Sequence, residues 1–301
     1  MSNTTKNMSK KPTKTNMIME SMPYIPLTDD SSLDNYHMNG EEKLSFLLLD
    51  EKEKLLVSSK EQFLEKLNIK DDSEKVKVVS IFGNTGEGKS YTFNKVFFSG
   101  KNVFKTSPDQ RSCTLGVWAA YDPVLKVICL DTEGLLGMKK EHHQRTRLLL
   151  KVLVVSDIVI YRTRAERLQA DMYTFLSGAS QAYKQHFEPA LLLVWQKLKI
   201  EGRPEAIGPS LIIFHETKHT NTLDMCTTYD ESPEDIIRAR CKDMHMSIDA
   251  FRSIKYIGQK IEEETSFFQL EGAVQSELSN TTVRSKRDPS IIYLTLKVSP
   301  V

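Results

Sequence analysis

One run of eight residues constrains this chain more than anything else in it: Gly83, Asn84, Thr85, Gly86, Glu87, Gly88, Lys89 and Ser90, spaced as G-x-x-x-x-G-K-[ST]. An apolar stretch, VKVVSIF at 76–82, leads into it, and YTFNKVF at 91–97 can continue as a helix. The glycines let the main chain curl so that successive N–H groups face one point, and the helix adds its positive end there. Such a nest holds phosphate: Lys89 reaches the β- and γ-phosphates of a nucleoside triphosphate, and the Ser90 hydroxyl ligates Mg²⁺. Tyr91, next along, is counted with the nucleotide-binding residues.

The rest of the chain fits that start. Strand patterns at 116–121 and 126–131 flank Asp122-Pro123 and read as an antiparallel pair. A helical pattern at 144–155 is followed by a buried-type strand at 157–161, a long helix within 168–195 broken near Pro189, and a strand at 210–214. Pro233 opens a helix to about 246, and a strand at 254–256 and a helix at 268–278 close the series. Alternation of this kind predicts an α/β fold, a mostly parallel sheet covered by helices on both faces. Residues 1–40, rich in Ser, Thr, Asn and Lys, read as a disordered tail. Residues 41–74 read as a hairpin plus a helix opened by a capping box at Ser58–Glu61, and 75–301 as the P-loop domain.

A second motif supports the first. Asp131-Thr132-Glu133-Gly134 ends an apolar strand about forty residues after the loop. At that place Asp131 would hold Mg²⁺ through a water, and the Gly134 N–H would face the γ-phosphate and change partner when it leaves. Between the two motifs lies RSCTLGVW at 111–118, where Thr114 offers a second hydroxyl to the metal.

Composition excludes several other classes. Lys and Arg number 41 against 40 Asp and Glu, a net charge of +1 that gives no support for nucleic-acid binding. Four scattered cysteines, Cys113, Cys129, Cys226 and Cys241, fit neither a zinc site nor a disulfide framework and read as reduced thiols of a cytoplasmic protein. No run approaches the roughly 20 apolar residues of a membrane helix, and the lysine-rich start lacks the apolar segment of a signal peptide.

The motifs GNTGEGKS, SCTLGVWAAYDP, DTEGLLG, QRTRLLLKVL and SDIVIYRT together resemble the nucleotide-binding domain of the double-FYVE-domain proteins. More distantly they are similar to guanylate-binding proteins and atlastins, of the dynamin-like class. The resemblance runs from about residue 46 to the end. It implies ATP binding and hydrolysis, nucleotide-linked homodimerisation, and a role at endoplasmic reticulum membranes in autophagosome (omegasome) formation, with lipid droplets as a further location. The cysteines present cannot build a FYVE zinc finger, so recognition of phosphatidylinositol 3-phosphate is not expected of these residues.

Turnover is expected to be slow. Leu135 follows Gly134 where small GTPases place a water-orienting Gln, and Gly86 stands where guanylate-binding proteins place an arginine finger. Ser112 occupies the place of a water-positioning serine, Glu133 can polarise that network, and Arg111, Arg145 and Arg147 are candidates for the missing positive charge. The base, ATP or GTP, is open: the Asn-Lys-x-Asp guanine motif is absent, and His215 and Glu216 stand at the strand end where relatives contact the base. Two alternatives compete. One is a scaffold that binds nucleotide without hydrolysing it. The other is a zinc protease, since residues 215–219 spell H-E-x-x-H, although they continue a strand pattern rather than a helix.

Overall fold

The computed structural model describes residues 44–71, 73–106, 116–133, 142–189, 208–226, 231–261, 264–280 and 286–298. They form a seven-stranded sheet with helices on both faces. In chain order the elements are β1 (Phe46–Leu49), α1 (Lys60–Lys66), β2 (Lys77–Phe82), α2 (Lys89–Phe98), β3 (Gly116–Asp122), β4 (Val127–Glu133), α3 (His142–Val155) and β5 (Ile158–Thr163). Then come α4 (Ala170–His186), β6 (Ser210–Thr217), α5 (Leu223–Cys226), α6 (Pro233–Asp243), β7 (Ile254–Lys260), α7 (Phe268–Ser279) and α8 (Pro289–Val298). The strand order is β1-β3-β4-β2-β5-β6-β7. Strands β4, β2, β5, β6 and β7 run parallel, while β3 and the edge strand β1 are antiparallel to their neighbours. This is the mixed α/β, phosphate-binding-loop architecture expected from the sequence.

Burial on both faces explains the composition of the central strands. Every residue of β2, β5 and β6 is buried, so these strands are almost continuously apolar rather than alternating. Their side chains divide between two cores. Val78, Phe82, Val159, Tyr161, Leu211 and Ile213 face α1, α3, α4, α6 and α8. Val79, Ile81, Ile158, Ile160, Ile212 and Phe214 face α2 and α7. Strand β2 is central to both layers, which places the loop that follows it in the middle of the sheet's carboxyl edge, where parallel α/β sheets bind ligands.

The hairpin-and-helix unit is continuous with this sheet. Strand β1 pairs with β3, and Leu49 bridges Leu55. Helix α1 packs on α8, with the Phe63 and Tyr293 rings 6.1 Å apart and the Tyr293 hydroxyl donating to Ser58 O at 2.9 Å. The cap of α1 lies one residue later than the sequence pattern placed it. Ser59 is extended and its Oγ accepts from Gln62 N, while Gln62 Oε1 accepts from Ser58 N. Strands β6 and β7 each run longer than expected, because the pairing of His215, Glu216 and Thr217 with residues 258–260 extends the ladder. Helices α5 and α8 were not anticipated. The Asp288-Pro289 pair at the start of α8 was the available signal, and Asp288 Oδ1 accepts from Ser290 N at 2.8 Å. The tail at 1–40 and the stretch near Pro189 from 190 onward lie outside the described residues.

Because Phe63 is fully buried between α1 and α8, Phe63→Ala is expected to cost about 3–5 kcal/mol by loss of burial plus cavity. Denaturant unfolding measures this. A loss below about 1 kcal/mol would show that α1 contributes little to the common core.

Candidate functional site

The loop is shaped by two glycines. Gly83 leaves β2 at φ 148°, and a Cβ on it would stand 2.2 Å from Arg162 O. Gly88, at φ 79°, is the left-handed N-cap of α2. No L side chain takes either conformation without strain. Lys89 and Ser90 then open α2 and are buried. The Lys89 ammonium crosses back over the loop and donates to Asn84 O at 3.0 Å. Thr92 ties the helix start to the loop, its Oγ1 donating to Gly88 O at 2.9 Å. Thr85 and Gly86 lie between, with Gly86 exposed.

The parallel register of β2 and β4 brings the second motif alongside. Ile81 is paired with Asp131, and Ser90 Oγ donates to Asp131 Oδ2 at 2.5 Å in a buried contact. Thr132 Oγ1 donates to Ile81 O at 2.5 Å, locking the two strand ends together. A serine hydroxyl and a carboxylate held this close offer hard oxygen donors, the type Mg²⁺ takes. Of the other expected residues, Ser112, Thr114 and Gly134 lie outside the described residues, as does the side chain of Glu133, whose main chain ends β4. Arg111 and the Arg145 side chain lie outside them as well. Arg147 is committed to Glu53 at 2.9 Å.

On the other flank of the loop, β5 and β6 build a wall that the sequence pattern did not reveal. Arg162 is 1% exposed, and its guanidinium meets Glu216, Thr92 Oγ1 at 3.3 Å, Thr163 O at 3.2 Å and the face of Phe214 at 4.5 Å. Glu216 also accepts from Arg164 Nε at 2.8 Å and from the Thr265 hydroxyl. Burial pushes the Glu216 carboxyl up, but the Arg162 charge and the hydrogen bonds from Thr265, Arg162 and Arg164 outweigh it and hold the group below its usual range. Glu87, in the loop, accepts from Arg164 N, and Asn84 Nδ2 donates to Asp171 Oδ2 at 3.3 Å. Burial raises the Glu87 pKa against the Arg164 hydrogen bond and the Arg162, Lys89 and Arg164 charges. A basic residue inside the apolar run IVIYRT was the available hint, since a buried guanidinium requires a partner. Nothing in the sequence named Glu216 as that partner.

His215 and Glu216 therefore stand differently from the expectation that they contact the base. His215 Nε2 donates to Ala165 O at 2.6 Å, so Nδ1 accepts from the Tyr256 hydroxyl at 2.7 Å. Burial lowers the His215 pKa and favours this neutral form. Glu216 is 1% exposed with both oxygens engaged. Both side chains are buried and engaged inside the wall, so contact with a base would require them to give up these partners. The same facts remove the zinc-protease alternative. His215 lies on a strand, and the following turn is held by Glu166, which accepts from the main-chain N–H of Lys218, His219 and Thr220. The two histidines therefore do not share a helix face. Tyr91 is partly exposed on α2, its ring 5.9 Å from Phe267 and under the Lys95 ammonium.

A glycine-shaped nest between a central parallel strand and a helix, with serine and aspartate at its base, defines a phosphate-binding-loop domain. Residues 52–177 match the family model for the guanylate-binding protein N-terminal domain. The chain is 47% identical to zinc finger FYVE domain-containing protein 1 of Mus musculus over 283 residues, 91% of this chain and 36% of that protein. It is 49% identical to the Homo sapiens protein of the same name over 258 residues, 85% of this chain and 33% of that protein. The chain is thus similar to these proteins over most of its own length and to the guanylate-binding N-terminal domain over residues 52–177, and it spans about a third of the length of the curated relatives it matches. Among solved structures, a dimerization-deficient mutant of Toc33 from Arabidopsis thaliana aligns at 17% identity with a TM-score of 0.40, covering 74% of this chain and 91% of that one. A likeness at that level carries no functional weight.

Gly83→Ala is expected to destabilise the protein by about 2–4 kcal/mol, from overpacking plus a forbidden main-chain angle, measured by thermal or denaturant unfolding. The Glu166 contacts give a pH prediction. Main-chain N–H groups of Thr220, His219 and Lys218 hold its carboxyl down at about 2, from an ordinary 4.5. The ordering of residues 218–220 is therefore fully present above about pH 4.5 and lost as pH falls through about 2. The His219 and Thr220 amide shifts should follow that titration by NMR, and a midpoint at the ordinary glutamate value would contradict it.

Proposed function

We propose that this chain binds a Mg²⁺-complexed nucleoside triphosphate, ATP in preference to GTP, hydrolyses it slowly, and couples binding to self-association into a homodimer. The observation that carries this reading is the buried 2.5 Å contact between Ser90 and Asp131 at the base of a glycine-shaped anion nest. Ser90 and Asp131 would hold the ion, with Thr114 as a further hydroxyl, and the ion would neutralise charge on the β- and γ-phosphate oxygens. Lys89 and the main-chain N–H groups of residues 83–91 bind the phosphates, with Gly134 facing the γ-phosphate. Ser112 and Glu133 position the attacking water.

The preference for ATP, and a role at endoplasmic reticulum membranes in autophagosome formation or on lipid droplets, rest on the likeness to the double-FYVE proteins. Among the described residues no helix is long and apolar enough to cross a membrane. The match to the guanylate-binding model favours a second reading, a GTPase. Gly86 and Leu135, which withhold an arginine and a glutamine from the site, favour a third, a nucleotide-binding scaffold.

Calorimetric titration with ATP and GTP, with and without Mg²⁺, tests the first step. ATP is expected to bind more tightly, in a Mg²⁺-dependent manner, and Lys89→Ala to lose at least about tenfold in affinity, as for removal of a charge-assisted hydrogen bond. Binding of neither nucleotide would end this reading. Phosphate release in a single turnover separates the enzyme from the scaffold.

A further inference from the structure

We propose that Arg164 contacts the polyphosphate of the bound nucleotide and supplies, beside Lys89, the second positive charge that Gly86 withholds from the loop. This rests on the nucleotide reading above. Three arginines with described side chains bear on the question, and two are already committed. Arg162 is buried, with its guanidinium shared among Glu216, Thr92 and the Thr163 carbonyl. Arg147 is paired with Glu53. Arg164 differs from both.

Its guanidinium carbon stands 3.8 Å from the place a Gly88 Cβ would take. That is the residue immediately before Lys89, where the loop turns into α2 and the main-chain donors of the nest converge. The side chain is 45% exposed, so solvent and ligand reach it. Arg164 is nevertheless held at two points: its main-chain N–H donates to the loop carboxylate of Glu87, and its Nε to Glu216 at 2.8 Å. Its two Nη groups make no hydrogen bond among the described residues. An anchored guanidinium with both terminal nitrogens left to donate is a fork matched to two phosphate oxygens. Anchoring through Nε also reduces the side-chain freedom that binding would otherwise have to freeze. Arg164 further lines a cavity of about 190 Å³ between the loop and the end of β5, together with Asn84, Glu87 and Asp171.

The competing role is a brace that only steadies Glu216. A brace changes stability, whereas a phosphate contact changes affinity and its salt dependence. MgATP affinity should be measured at several salt concentrations for the wild type, Arg164→Gln, Arg164→Lys and Lys89→Ala, with melting temperatures alongside. Arg164→Gln is expected to bind about 10- to 100-fold more weakly, the size of lost charge-assisted hydrogen bonds, with a shallower salt dependence. Arg164→Lys, which keeps the charge without the fork, should fall between. Affinity within twofold of wild type for Arg164→Gln would overturn the proposal, whatever happens to the melting temperature. If that variant does not fold, unchanged affinity and salt dependence in Arg164→Lys would overturn it equally. A wild type that binds no nucleotide rejects the nucleotide reading itself. Wild-type binding that Lys89→Ala abolishes and Arg164→Gln leaves intact rejects this proposal alone.

Discussion

A guanidinium buried under the phosphate-binding loop governs how this site is assembled. Arg162 has almost no access to water, so its charge must be compensated from within the protein. Three elements meet that demand. Glu216 comes from β6, Thr92 from α2, the Thr163 carbonyl from β5 itself, and the ring of Phe214 lies against the guanidinium face. Through Glu216 the network extends to Thr265, ahead of α7, and to Arg164, whose main chain holds Glu87 of the loop. The loop, the start of α2 and the ends of β5 and β6 are therefore fixed relative to one another by one connected set of polar and charged contacts. Breaking a buried pair of this kind typically costs about 3–5 kcal/mol, because the remaining charge cannot reach solvent.

The opposite flank is organised by register rather than by charge. Parallel pairing of β2 with β4 sets Asp131 beside Ile81, and one further turn of chain brings Ser90 within reach of that carboxylate. The loop thus has two unlike sides. On the β4 side lie oxygen donors suited to a hard cation. On the β5 side lie guanidinium groups and the carboxylates that restrain them. The proposed ligand, a magnesium-complexed triphosphate, would carry both kinds of charge.

Much of this is legible in the sequence alone. The apolar runs at β2, β5 and β6 announce strands buried on both faces, and the glycine spacing of residues 83–90 announces a turn that only a strand-to-helix junction accommodates. Local signals also had limits. The α1 cap was displaced by one residue, since Ser58 and Ser59 are chemically equivalent and only main-chain geometry selects between them. Helix α8 is not evident from periodicity although Asp288-Pro289 marks its start, because the run SIIYLTLKV that follows is as apolar as a strand. The expectation that His215 and Glu216 contact the base rests on the resemblance to guanylate-binding proteins, which place base-contacting residues at this strand end. Their actual partners, Tyr256, Ala165, Arg162, Arg164 and Thr265, are 41 to 54 positions away in sequence.

The sequence by itself determined the class of fold, the place of the glycine-rich loop between β2 and α2, and the expectation that Ser90 and Asp131 lie together. Each of these depends on short-range rules: glycine conformations, strand periodicity, and a motif at a fixed distance along the chain. Only the tertiary structure decided that Arg162 and Glu216 face each other beneath the loop, that His215 is locked as a neutral ring, and that Arg164 stands beside Gly88. Those facts depend on which strands become neighbours. Burial makes the pairing of charges obligatory once they are neighbours, but no local pattern states which residues the fold will bring together.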